Sequence, residues 1–443
     1  MTFKYFGTDG IRGRANEDLT PEIAFKVGRY LGYKLNSGNS KFVIGRDTRQ
    51  SGLMLEAALS AGLMASGVSV DLLGVVVTPM VAYILKNNDY VGGIMISASH
   101  NPYYDNGLKV MNADGFKIDD FLQTEVEQYI DGELEIPLML DDKIGVSTNA
   151  HHLVEDYYNY LQSTIDVDLK GSKIAVDTAN GSTSQLVEVF DRYNLESDII
   201  HNQPNGVNIN EQCGSTKIKV LQAYMSDKVY DLGVSFDGDG DRLMIIDEHN
   251  NIIDGDAIMY ILANYYKENN LLKDNAIVVT VMSNLGLLKA LDAKGIQYFI
   301  TDVGDKNVFE KMQNDDLLIG GEQSGHVILK NHSNMGDGIL VVLKIMQVMK
   351  HSQKSLSTLL EGFVTYPQLM KNHPTKDKHA LLENNELLEK IAEYEKELHG
   401  NGRILVRPSG TEPLVRVMVE AESEALCEHY VNTIIELINK IEE

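Results

Sequence analysis

The sequence predicts an α/β protein with three α/β domains and a smaller α+β domain at its C-terminal end. In the first third of the chain, short apolar strands alternate with helices, which is typical of βαβ units in a largely parallel or mixed sheet. A strand, a polar glycine-containing loop and a helix begin again at 173–177 and at 276–281. From about residue 366 the composition changes to charged helices and short strands. We therefore place the domains at 1–150, 151–253, 254–365 and 366–443.

The elements of the first domain follow from local signals. Thr20 is a predicted N-cap and Pro21 a favourable first helical residue, and apolar side chains then recur at helical spacing up to Leu35. A short apolar strand over Phe42–Gly45 opens into the polar loop RDTRQSG. The remaining elements of this domain are one helix and two strands, at 52–65, 68–73 and 92–97.

The later elements are predicted in the same way. A helix is expected over 337–350 and a charged helix over 381–398, and short strands flank the sequence RPSGTEP. The last helix is amphipathic, because one of its faces carries only apolar side chains. These side chains are Leu426, Tyr430, Ile434, Leu437, Ile438 and Ile441. This pattern indicates a small α+β domain that closes over the rest.

The composition limits the expected partners. The 443 residues carry 39 Lys and Arg against 64 Asp and Glu, a formal net charge of −25. Nucleic acids and anionic membranes bind basic surfaces, so neither is an expected partner. The chain has no apolar stretch of about eighteen residues and no apolar secretion signal at its start. Because only Cys213 and Cys427 occur, far apart in sequence, we expect a reducing cytoplasmic environment.

The sharpest chemical feature is the sequence DGDGDR at 237–242. Its three carboxylates, Asp237, Asp239 and Asp241, can converge on one hard cation, and without a cation they would repel one another. An EF-hand loop is an alternative interpretation. However, Arg242 stands where that loop needs glycine, and the flanking sequences LGVSF and LMIID are typical of strands. The pattern therefore predicts a metal site with Arg242 beside it as a phosphate ligand.

The segment SASHNPYYDNGLKV at 97–110 places a hydroxyl, an imidazole and an amine on one predicted loop. Ser99 follows a strand, so its hydroxyl is expected at the edge of the sheet, on a surface-facing loop. His100 and Lys109 are candidate acid/base groups, and Asn106–Gly107 is expected to form a turn. The alternative is a plain loop in which the serine caps the following turn.

Two further segments carry groups that suit a sugar phosphate. GGEQSGH at 320–326 offers polar groups for the hydroxyls of a sugar ring, on Glu322, Ser324 and His326. RPSGTEP at 407–413 combines a bidentate cation with hydroxyls and backbone N–H groups, as in an anion nest, on Arg407, Ser409, Gly410 and Thr411. Arginines also concentrate in glycine-containing loops near the N-terminus, which favours an anionic ligand; these are Arg12, Arg14, Arg46 and Arg49.

Taken together, SASHNP, DGDGDR, GEQSGH and RPSGTEP resemble the α-D-phosphohexomutase superfamily, in particular its bacterial phosphoglucosamine mutase branch. The resemblance covers essentially the whole chain and includes KYFGTDGIRGRAN at the start, GVVVTP at 74–79 and NIN…CGST at 208–216. Lys217, Lys306 and Asn307 depart from the usual pattern, in which a histidine and an arginine–tyrosine pair are common. The resemblance implies four domains around a central cleft, the first three of shared topology.

The resemblance also implies a role for each site residue. Ser99 would be a phosphoserine that donates and recovers a phosphoryl group, with His100 and Arg12 beside it. Lys109 and His326 would be the general acid/base pair. One Mg²⁺ ion per chain would be held by Asp237, Asp239, Asp241 and an oxygen on Ser99. The substrate would be bound by Arg242, Glu322, Ser324, Arg407, Ser409, Gly410 and Thr411.

The activity implied by the resemblance is the interconversion of glucosamine 6-phosphate and glucosamine 1-phosphate through a 1,6-bisphosphate. This reaction feeds the synthesis of UDP-N-acetylglucosamine and cell-wall precursors. Glucosamine or glucose 1,6-bisphosphate would be the activator, and the protein would be a monomer or a homodimer. Three alternatives remain open: a phosphomannomutase or phosphoglucomutase of the same superfamily, a metal-dependent sugar phosphatase, and a non-catalytic protein that binds Ca²⁺ or a sugar phosphate.

Overall fold

A seven-stranded mixed sheet lies in the first 150 residues of the chain. The computed structural model describes residues 3–408 and 413–442, apart from the side chain of His379. The elements of the first sheet are β1 (Phe6–Gly7), β2 (Gly10–Arg14), α1 (Pro21–Leu35), β3 (Lys41–Arg46), α2 (Gln50–Ala65), β4 (Ser69–Val75), α3 (Thr78–Asn87), β5 (Gly92–Ile96), β6 (Asp105–Asn112), α4 (Asp120–Ile130) and β7 (Ser147–Asn149). The strand order is β1-β2-β6-β5-β3-β4-β7. Strands β5, β3, β4 and β7 are parallel, and β1, β2 and β6 add antiparallel pairs at one side.

The helix that begins at Pro21 forms as the sequence predicts. The Thr20 hydroxyl oxygen accepts a hydrogen bond from the N–H of Ile23 at 3.4 Å, which caps the first turn. Helix α1 packs closely on α2 because a glycine lies at their contact. A Cβ on Gly28 would lie 2.4 Å from the carbonyl oxygen of Leu59, so a larger residue would force the two helices apart.

The second sheet has five strands and is also mixed. Its elements are α5 (Val154–Thr164), β8 (Lys173–Asp177), α6 (Glu188–Arg192), β9 (Glu196–Ile200), α7 (Lys219–Met225), β10 (Leu232–Phe236), β11 (Leu243–Ile246) and β12 (Ile252–Ile253). The order is β12-β11-β10-β8-β9, with β10, β8 and β9 parallel. The DGDGDR loop therefore joins the antiparallel pair β10 and β11.

The third sheet has four strands and repeats the same design. Its elements are α8 (Gly255–Glu268), β13 (Ala276–Thr280), α9 (Leu285–Lys294), β14 (Gln297–Thr301), α10 (Asp305–Asn314), β15 (Ile319–Gly321), β16 (Val327–Leu329), α11 (Gly338–Ser352) and α12 (Leu356–Leu359). The order is β14-β13-β15-β16, with an antiparallel pair at the β16 edge. The prediction of three domains with mixed α/β sheets is confirmed.

The C-terminal part is a three-stranded antiparallel sheet covered by helices. Its elements are β17 (Gln368–Pro374), α13 (Lys378–Leu382), α14 (Asn385–Glu397), β18 (Gly402–Pro408), β19 (Leu414–Ala421) and α15 (Glu424–Glu442), and the strand order is β17-β19-β18. The single charged helix predicted over 381–398 is instead divided. Asn384 causes the break, because its side chain caps α14 by accepting from the N–H of Leu387.

The chain forms two compact units. The first contains the residues up to Met282 and Ile296–Glu361, and the second contains Ser283–Gly295 and the chain from Gly362 onward. Helix α9, which the sequence analysis includes in the domain 254–365, thus lies in the second unit. Within the described ranges, no helix has both the length and the apolar character needed to cross a membrane.

Candidate active site and metal centre

Two loops from different sheets of the first unit meet at Ser99. Ser99 follows β5, and Asp237 follows β10. The Ser99 hydroxyl donates a hydrogen bond to Asp237 Oδ2 at 2.6 Å. This contact places a hydroxyl beside the acidic loop DGDGDR.

Ser99 itself is buried, although later residues of its loop, Tyr103 and Tyr104, are exposed, so the expected surface-facing position does not hold at the serine. Ser99 is only 2% exposed and has a φ of +52°. Its N–H donates to Ser97 Oγ at 2.9 Å, and its carbonyl oxygen accepts from Arg49 Nη2 at 2.8 Å and from Asn210 Nδ2 at 2.9 Å. These three contacts hold the serine in a left-handed conformation that non-glycine residues rarely adopt.

Arg49 is a structural residue of this loop and not a surface cation. It is almost fully buried and donates to Asp47 Oδ2 at 2.8 Å. It also donates to the backbone carbonyl oxygens of Asn101 and Pro102. The sequence suggested that the arginines near the N-terminus favour an anionic ligand, but the contacts of Arg49 are filled by the protein itself. Arg46 is likewise paired, with Glu56 at 3.4 Å.

The three aspartates of DGDGDR form a buried acidic group. Asp237 and Asp239 have no exposed surface and Asp241 is 6% exposed, and one oxygen from each lies within 4.8 Å of the others. Burial, followed by the charges of Asp241 and Asp239, raises the pKa of Asp237 well above its usual value. Oδ1 of Asp239 and Oδ1 of Asp241 are buried and have no hydrogen-bond partner within the described chain. Carboxylate oxygens that lack donors suit a hard divalent cation, so these residues fit a metal ion.

Lys109 lies in the middle of strand β6, and the sequence prediction that it belongs to a loop is wrong. Its Nζ lies 2.8 Å from Asp239 and from Asp241, and 3.2 Å from Asp9. Burial alone would lower the pKa of Lys109, but the carboxylates raise it well above its usual value. The expected turn at Asn106–Gly107 is also absent, because both residues pair with β2 inside β6.

His100, Arg12 and Arg242 surround the hydroxyl end of the site. His100 Nδ1 lies 3.3 Å from Ser99 Oγ. Burial, and then the positive charges of Arg242 and Arg12, lower the pKa of His100 to about 4, so its ring is neutral near pH 7. Arg12 donates to Asp9 at 3.0 Å, and Arg242 Nε lies 4.0 Å from Asp241 Oδ1. The Nε atom of Arg242 is buried and has no hydrogen-bond partner in the described structure, which favours an anionic ligand there.

The residues of GGEQSGH lie on the hairpin between β15 and β16. Glu322 Oε1 accepts from the N–H of Gly304 at 2.9 Å, and Ser324 is exposed. His326 is buried; its Nε2 accepts from the N–H of Gly336 at 3.3 Å and lies 4.0 Å from Asp305. Nδ1 of His326 is buried without a hydrogen-bond partner among the residues described.

The segment RPSGTEP, which the sequence predicts to bind a phosphate, belongs to the second unit. Ser409, Gly410 and Thr411 lie outside the described residues. Arg407 lies on β18 directly opposite Arg416 on β19. Burial, and then the charge of Arg416, lower the pKa of Arg407. Two cations in a cross-strand pair are unfavourable unless an anion offsets them.

Sequence reasoning missed several residues of the site. Asp9 pairs with Lys109, Lys117 and Arg12, and Thr78 donates to Asp239 Oδ2. Asp9 lies within the conspicuous segment TDGIRGR, so that motif carried a usable signal. Thr78 lies within GVVVTP, a segment of the resemblance to which no site role was given, whereas Lys117 had no such signal, because only the fold brings it to Asp9.

A second group of potential metal ligands comprises Asp177, His201 and Cys213. Asp177 accepts hydrogen bonds from the N–H groups of Ala179 and Gly214, and its Oδ1 lies 3.0 Å from His201 Nδ1. Burial, and then the charge of Asp177, raise the pKa of Cys213 to about 12. The carboxylate is therefore occupied in holding loops together, and the thiol is protonated near pH 7.

The chain matches four domain models in succession. They are described as phosphoglucomutase/phosphomannomutase alpha/beta/alpha domains I, II and III and the C-terminal domain, and they match residues 4–136, 155–251, 254–366 and 370–437. The four matches cover nearly all of the chain, in the order of the three mixed sheets and the small antiparallel sheet.

Curated relatives and solved structures are similar over the full length. Phosphoglucosamine mutases of Bacillus cereus (strain ATCC 10987 / NRS 248) and Bacillus anthracis (strain CDC 684 / NRRL 3495) are each 48% identical over 440 residues, which cover 98% of this chain and of theirs. A phosphoglucomutase/phosphomannomutase family protein from Burkholderia thailandensis has a TM-score of 0.83 at 22% identity, covering 99% of this chain and 97% of that one. The N-acetylphosphoglucosamine mutase of Aspergillus fumigatus, in complex with GlcNAc-6P and magnesium, has a TM-score of 0.71 at 17% identity, covering 100% and 96%.

Proposed function

Because the chain belongs to the phosphoglucomutase/phosphomannomutase family, we propose that it is a phosphoglucosamine mutase. It interconverts glucosamine 6-phosphate and glucosamine 1-phosphate through a phosphoserine at Ser99 and a 1,6-bisphosphate intermediate. The observation that carries the proposal is the contact of the Ser99 hydroxyl with Asp237, inside a buried group of three carboxylates. The choice of glucosamine is supported by the relatives that are 48% identical over nearly the whole chain.

In the first half-reaction a hydroxyl of the sugar phosphate attacks the phosphorus on Ser99. The bond between phosphorus and Ser99 Oγ breaks, the bond to the sugar oxygen forms, and the hydroxyl proton passes to His326, because the carboxylates around Lys109 keep that amine protonated. In the second half-reaction the bisphosphate presents its other phosphoryl group, which returns to Ser99 Oγ. The sugar oxygen released in that step recovers a proton from Lys109 or His326.

Asp237, Asp239, Asp241 and an oxygen on Ser99 are the residues that would hold one Mg²⁺ ion. Bound there, the ion would neutralise the charge that develops on Ser99 Oγ and on the transferred phosphoryl group. The neutral ring of His100 lies against Ser99 Oγ, and the cations Arg12 and Arg242 lie close enough to depress its pKa. These groups would stabilise the phosphoserine before transfer.

The remaining residues bind and orient the sugar phosphate. Glu322 and Ser324 would contact sugar hydroxyls, and Arg242 would support the phosphoryl end. The phosphate that is not transferred would be bound by Arg407, Ser409, Gly410 and Thr411. Enzyme without a phosphoryl group on Ser99 cannot start the cycle. A small amount of glucosamine or glucose 1,6-bisphosphate would transfer one phosphoryl group to Ser99 Oγ and leave as the sugar monophosphate, which would return the enzyme to the cycle.

The proposal is tested by intact mass and by turnover. We expect a fraction of the purified chain to be about 80 Da heavier, from one phosphoryl group. Ser99→Ala should lose this fraction and reduce mutase turnover by roughly 10³-fold or more, because no covalent carrier remains. Ser163→Ala is the matched control: it removes an exposed hydroxyl that donates to the carbonyl oxygen of Tyr160, away from the carrier, so the heavy fraction should persist.

The same experiment separates the alternatives. Turnover is measured with glucosamine, glucose and mannose phosphates in Mg²⁺ with a little matching bisphosphate. Release of inorganic phosphate without isomerisation would indicate a phosphatase, and binding without turnover would indicate a non-catalytic protein. A Ser99→Ala variant with wild-type turnover would exclude Ser99 as the carrier.

A further inference from the structure

A row of charged side chains leads from Lys109 through Asp9 and Lys117 to Asp305, which lies beside His326. Lys109 Nζ lies 3.2 Å from Asp9 Oδ2, and Asp9 Oδ1 lies 2.9 Å from Lys117 Nζ. The same Lys117 Nζ lies 2.7 Å from Asp305 Oδ1, and Asp305 Oδ2 lies 4.0 Å from His326 Nε2. All five residues belong to the first unit, and they come from three separate parts of the chain.

Lys117 is the centre of this row. Its side chain is 19% exposed, and Nζ also donates to the carbonyl oxygen of Thr8 at 3.1 Å. Burial alone would lower the pKa of Lys117, but Asp9 and Asp305 raise it, so its charge is retained. Beside it the ring of Phe116 lies 5.0 Å from that of Phe309 on α10, which packs the Lys117 segment against the helix that begins with Asp305.

Asp9 depends on the cations around it. Burial would raise its pKa, but Lys109, Lys117 and Arg12 hold that pKa well below its usual value. The Asp9 side chain is 26% exposed, and its carboxylate contacts three cations, Lys109, Lys117 and Arg12. Without Lys117, Asp9 would keep Lys109 and Arg12, and of its ion-pair partners in the described structure Asp305 would keep only the 4.0 Å contact with His326 Nε2.

We propose that Lys117 is a positioning residue that fixes the relative placement of Lys109 and His326 by bridging Asp9 and Asp305. The inference rests on the proposed function, in which Lys109 and His326 exchange protons with the sugar oxygens. Proton transfer requires the acid and the base to lie within hydrogen-bond distance of the reacting oxygens, and a displacement of about 1 Å is enough to reduce the rate by roughly 10²-fold. Lys117 acts through these two residues and not on the substrate.

The test compares Lys117→Met with Lys117→Arg in the full-length protein. Methionine retains the length of the side chain but removes the bridge, so kcat should fall by roughly 10- to 100-fold while KM for glucosamine 1-phosphate changes less than about twofold. Arginine can bridge two carboxylates and should restore most of kcat. A rise in KM with kcat unchanged would overturn the proposal, because it would make Lys117 a substrate ligand. An unchanged kcat in Lys117→Met would overturn it as well.

Asp305→Asn breaks the bridge from the other side and keeps the proposal testable if Lys117→Met folds poorly. It should reduce kcat in the same direction. Combined with Lys117→Met, its effect should be less than the product of the two single effects, since both break one bridge. Independent, multiplicative effects would contradict a bridge.

Asp120→Asn is the matched control. It removes the exposed ion pair of Asp120 with Lys306 at 2.8 Å, which joins the same two parts of the chain without touching the bridge. Its kcat should equal that of the wild type. Failure of the proposed function is recognised separately, because the wild type itself would then lack mutase turnover, whereas failure of this inference leaves wild-type turnover intact.

Discussion

Ser99 has a left-handed backbone conformation that hydrogen bonds to buried groups hold in place. The guanidinium of Arg49 binds the carbonyl oxygen of Ser99 and the carboxylate of Asp47, and Asp47 in turn accepts from Ser97 at 2.7 Å. Burial raises the pKa of Asp47, and the charge of Arg49 opposes that rise. The position of the Ser99 hydroxyl therefore depends on the fully buried ion pair between Arg49 and Asp47.

Arg49→Met should destabilise the protein by about 3–5 kcal/mol, because it leaves Asp47 buried without a counter-charge. It should also reduce turnover, since the carbonyl oxygen of Ser99 loses a donor. Urea denaturation measures the first effect and mutase turnover the second. Arg14→Met is the control: Arg14 pairs with Glu17 at the surface, so its removal should change the free energy of unfolding by less than about 1 kcal/mol.

Asp239→Asn tests the metal centre at the level of one charge. The amide keeps the shape of the side chain but weakens the affinity for Mg²⁺, so half-maximal activity should require at least about tenfold more Mg²⁺. Wild-type enzyme treated with EDTA should lose turnover and regain it when Mg²⁺ is returned. Full activity in EDTA would contradict a metal-dependent site. The control is Asp89→Asn, which changes an exposed carboxylate and should have the same Mg²⁺ dependence as the wild type.

At the scale of elements, the sequence predicts those helices and strands whose formation depends on neighbouring residues in the chain. The strand Lys173–Asp177 and the cap of α1 at Thr20 are confirmed because apolar runs and side-chain caps act over a few residues. The strand β6 was missed because Asn106 and Gly107 resemble a turn. In the sheet, a Cβ on Gly107 would lie 2.5 Å from the carbonyl oxygen of Ser97, so the glycine is required by a close approach of backbones and not by a turn. This close approach belongs to the tertiary structure, so it cannot be predicted from the local sequence around Gly107.

The start of α11 makes stability depend on pH. Asp337 caps this helix by accepting from the N–H of Leu340, and it also accepts from the Tyr157 hydroxyl. Burial raises the pKa of Asp337 from 3.8 to about 6. The native state then binds a proton that the unfolded state has released, so this contribution to stability is complete below about pH 4 and is lost as the pH rises through 6.

Asp337→Asn should remove this dependence while retaining the cap. The full contribution is about 3 kcal/mol, of which roughly 1 kcal/mol falls between pH 5 and 7. The measurement is the free energy of unfolding of both proteins in urea at several pH values. We expect the wild type to lose stability relative to the variant as the pH rises, and parallel curves would contradict a protonated Asp337.

At the scale of the whole molecule, a chain of net charge −25 has to bind an anion. The sequence indicated this through RPSGTEP, but it could not indicate Arg416, which reaches Arg407 only because β18 and β19 pair. The sequence also predicted the three aspartates of the acidic group. The packing of separate sheets determines what the sequence could not predict: the burial of these aspartates, their contact with Ser99 and the position of Lys109 between two carboxylates.

Arg407→Lys should weaken the binding of the sugar phosphate, because lysine keeps the charge but loses the two parallel donors of the guanidinium. The expected loss is about 1–3 kcal/mol, measured as an increase in KM of roughly 5- to 150-fold. Lys390→Met, which removes an exposed pair with Glu393 on α14, should leave KM unchanged. An unaltered KM in Arg407→Lys would remove RPSGTEP from the binding site.

The preference among sugars should be partial. A protonated 2-amino group gains a charged contact in an acidic site, whereas a 2-hydroxyl gains only neutral hydrogen bonds. We expect kcat/KM for glucosamine 1-phosphate to exceed that for glucose 1-phosphate or mannose 1-phosphate by about 10- to 100-fold. The comparison is made at saturating Mg²⁺ with equal bisphosphate activation. A neutral sugar that proves the better substrate would leave the mutase mechanism but reject the glucosamine assignment.

The contacts of helix α9 determine whether the two fragments stay together after proteolytic cleavage between the two units. The carboxylate of Glu420 binds the N–H of Leu285 at 2.9 Å, and Asn284 exchanges hydrogen bonds with the backbone of Tyr366. A protease that cleaves between Glu361 and Gly362 would therefore leave α9 on the N-terminal fragment but packed with the C-terminal one. The two fragments should elute together on a sizing column and separate only in denaturant. A gene divided at the same point would encode two halves that already share a docking helix, and this makes the junction suitable for a split version of the protein.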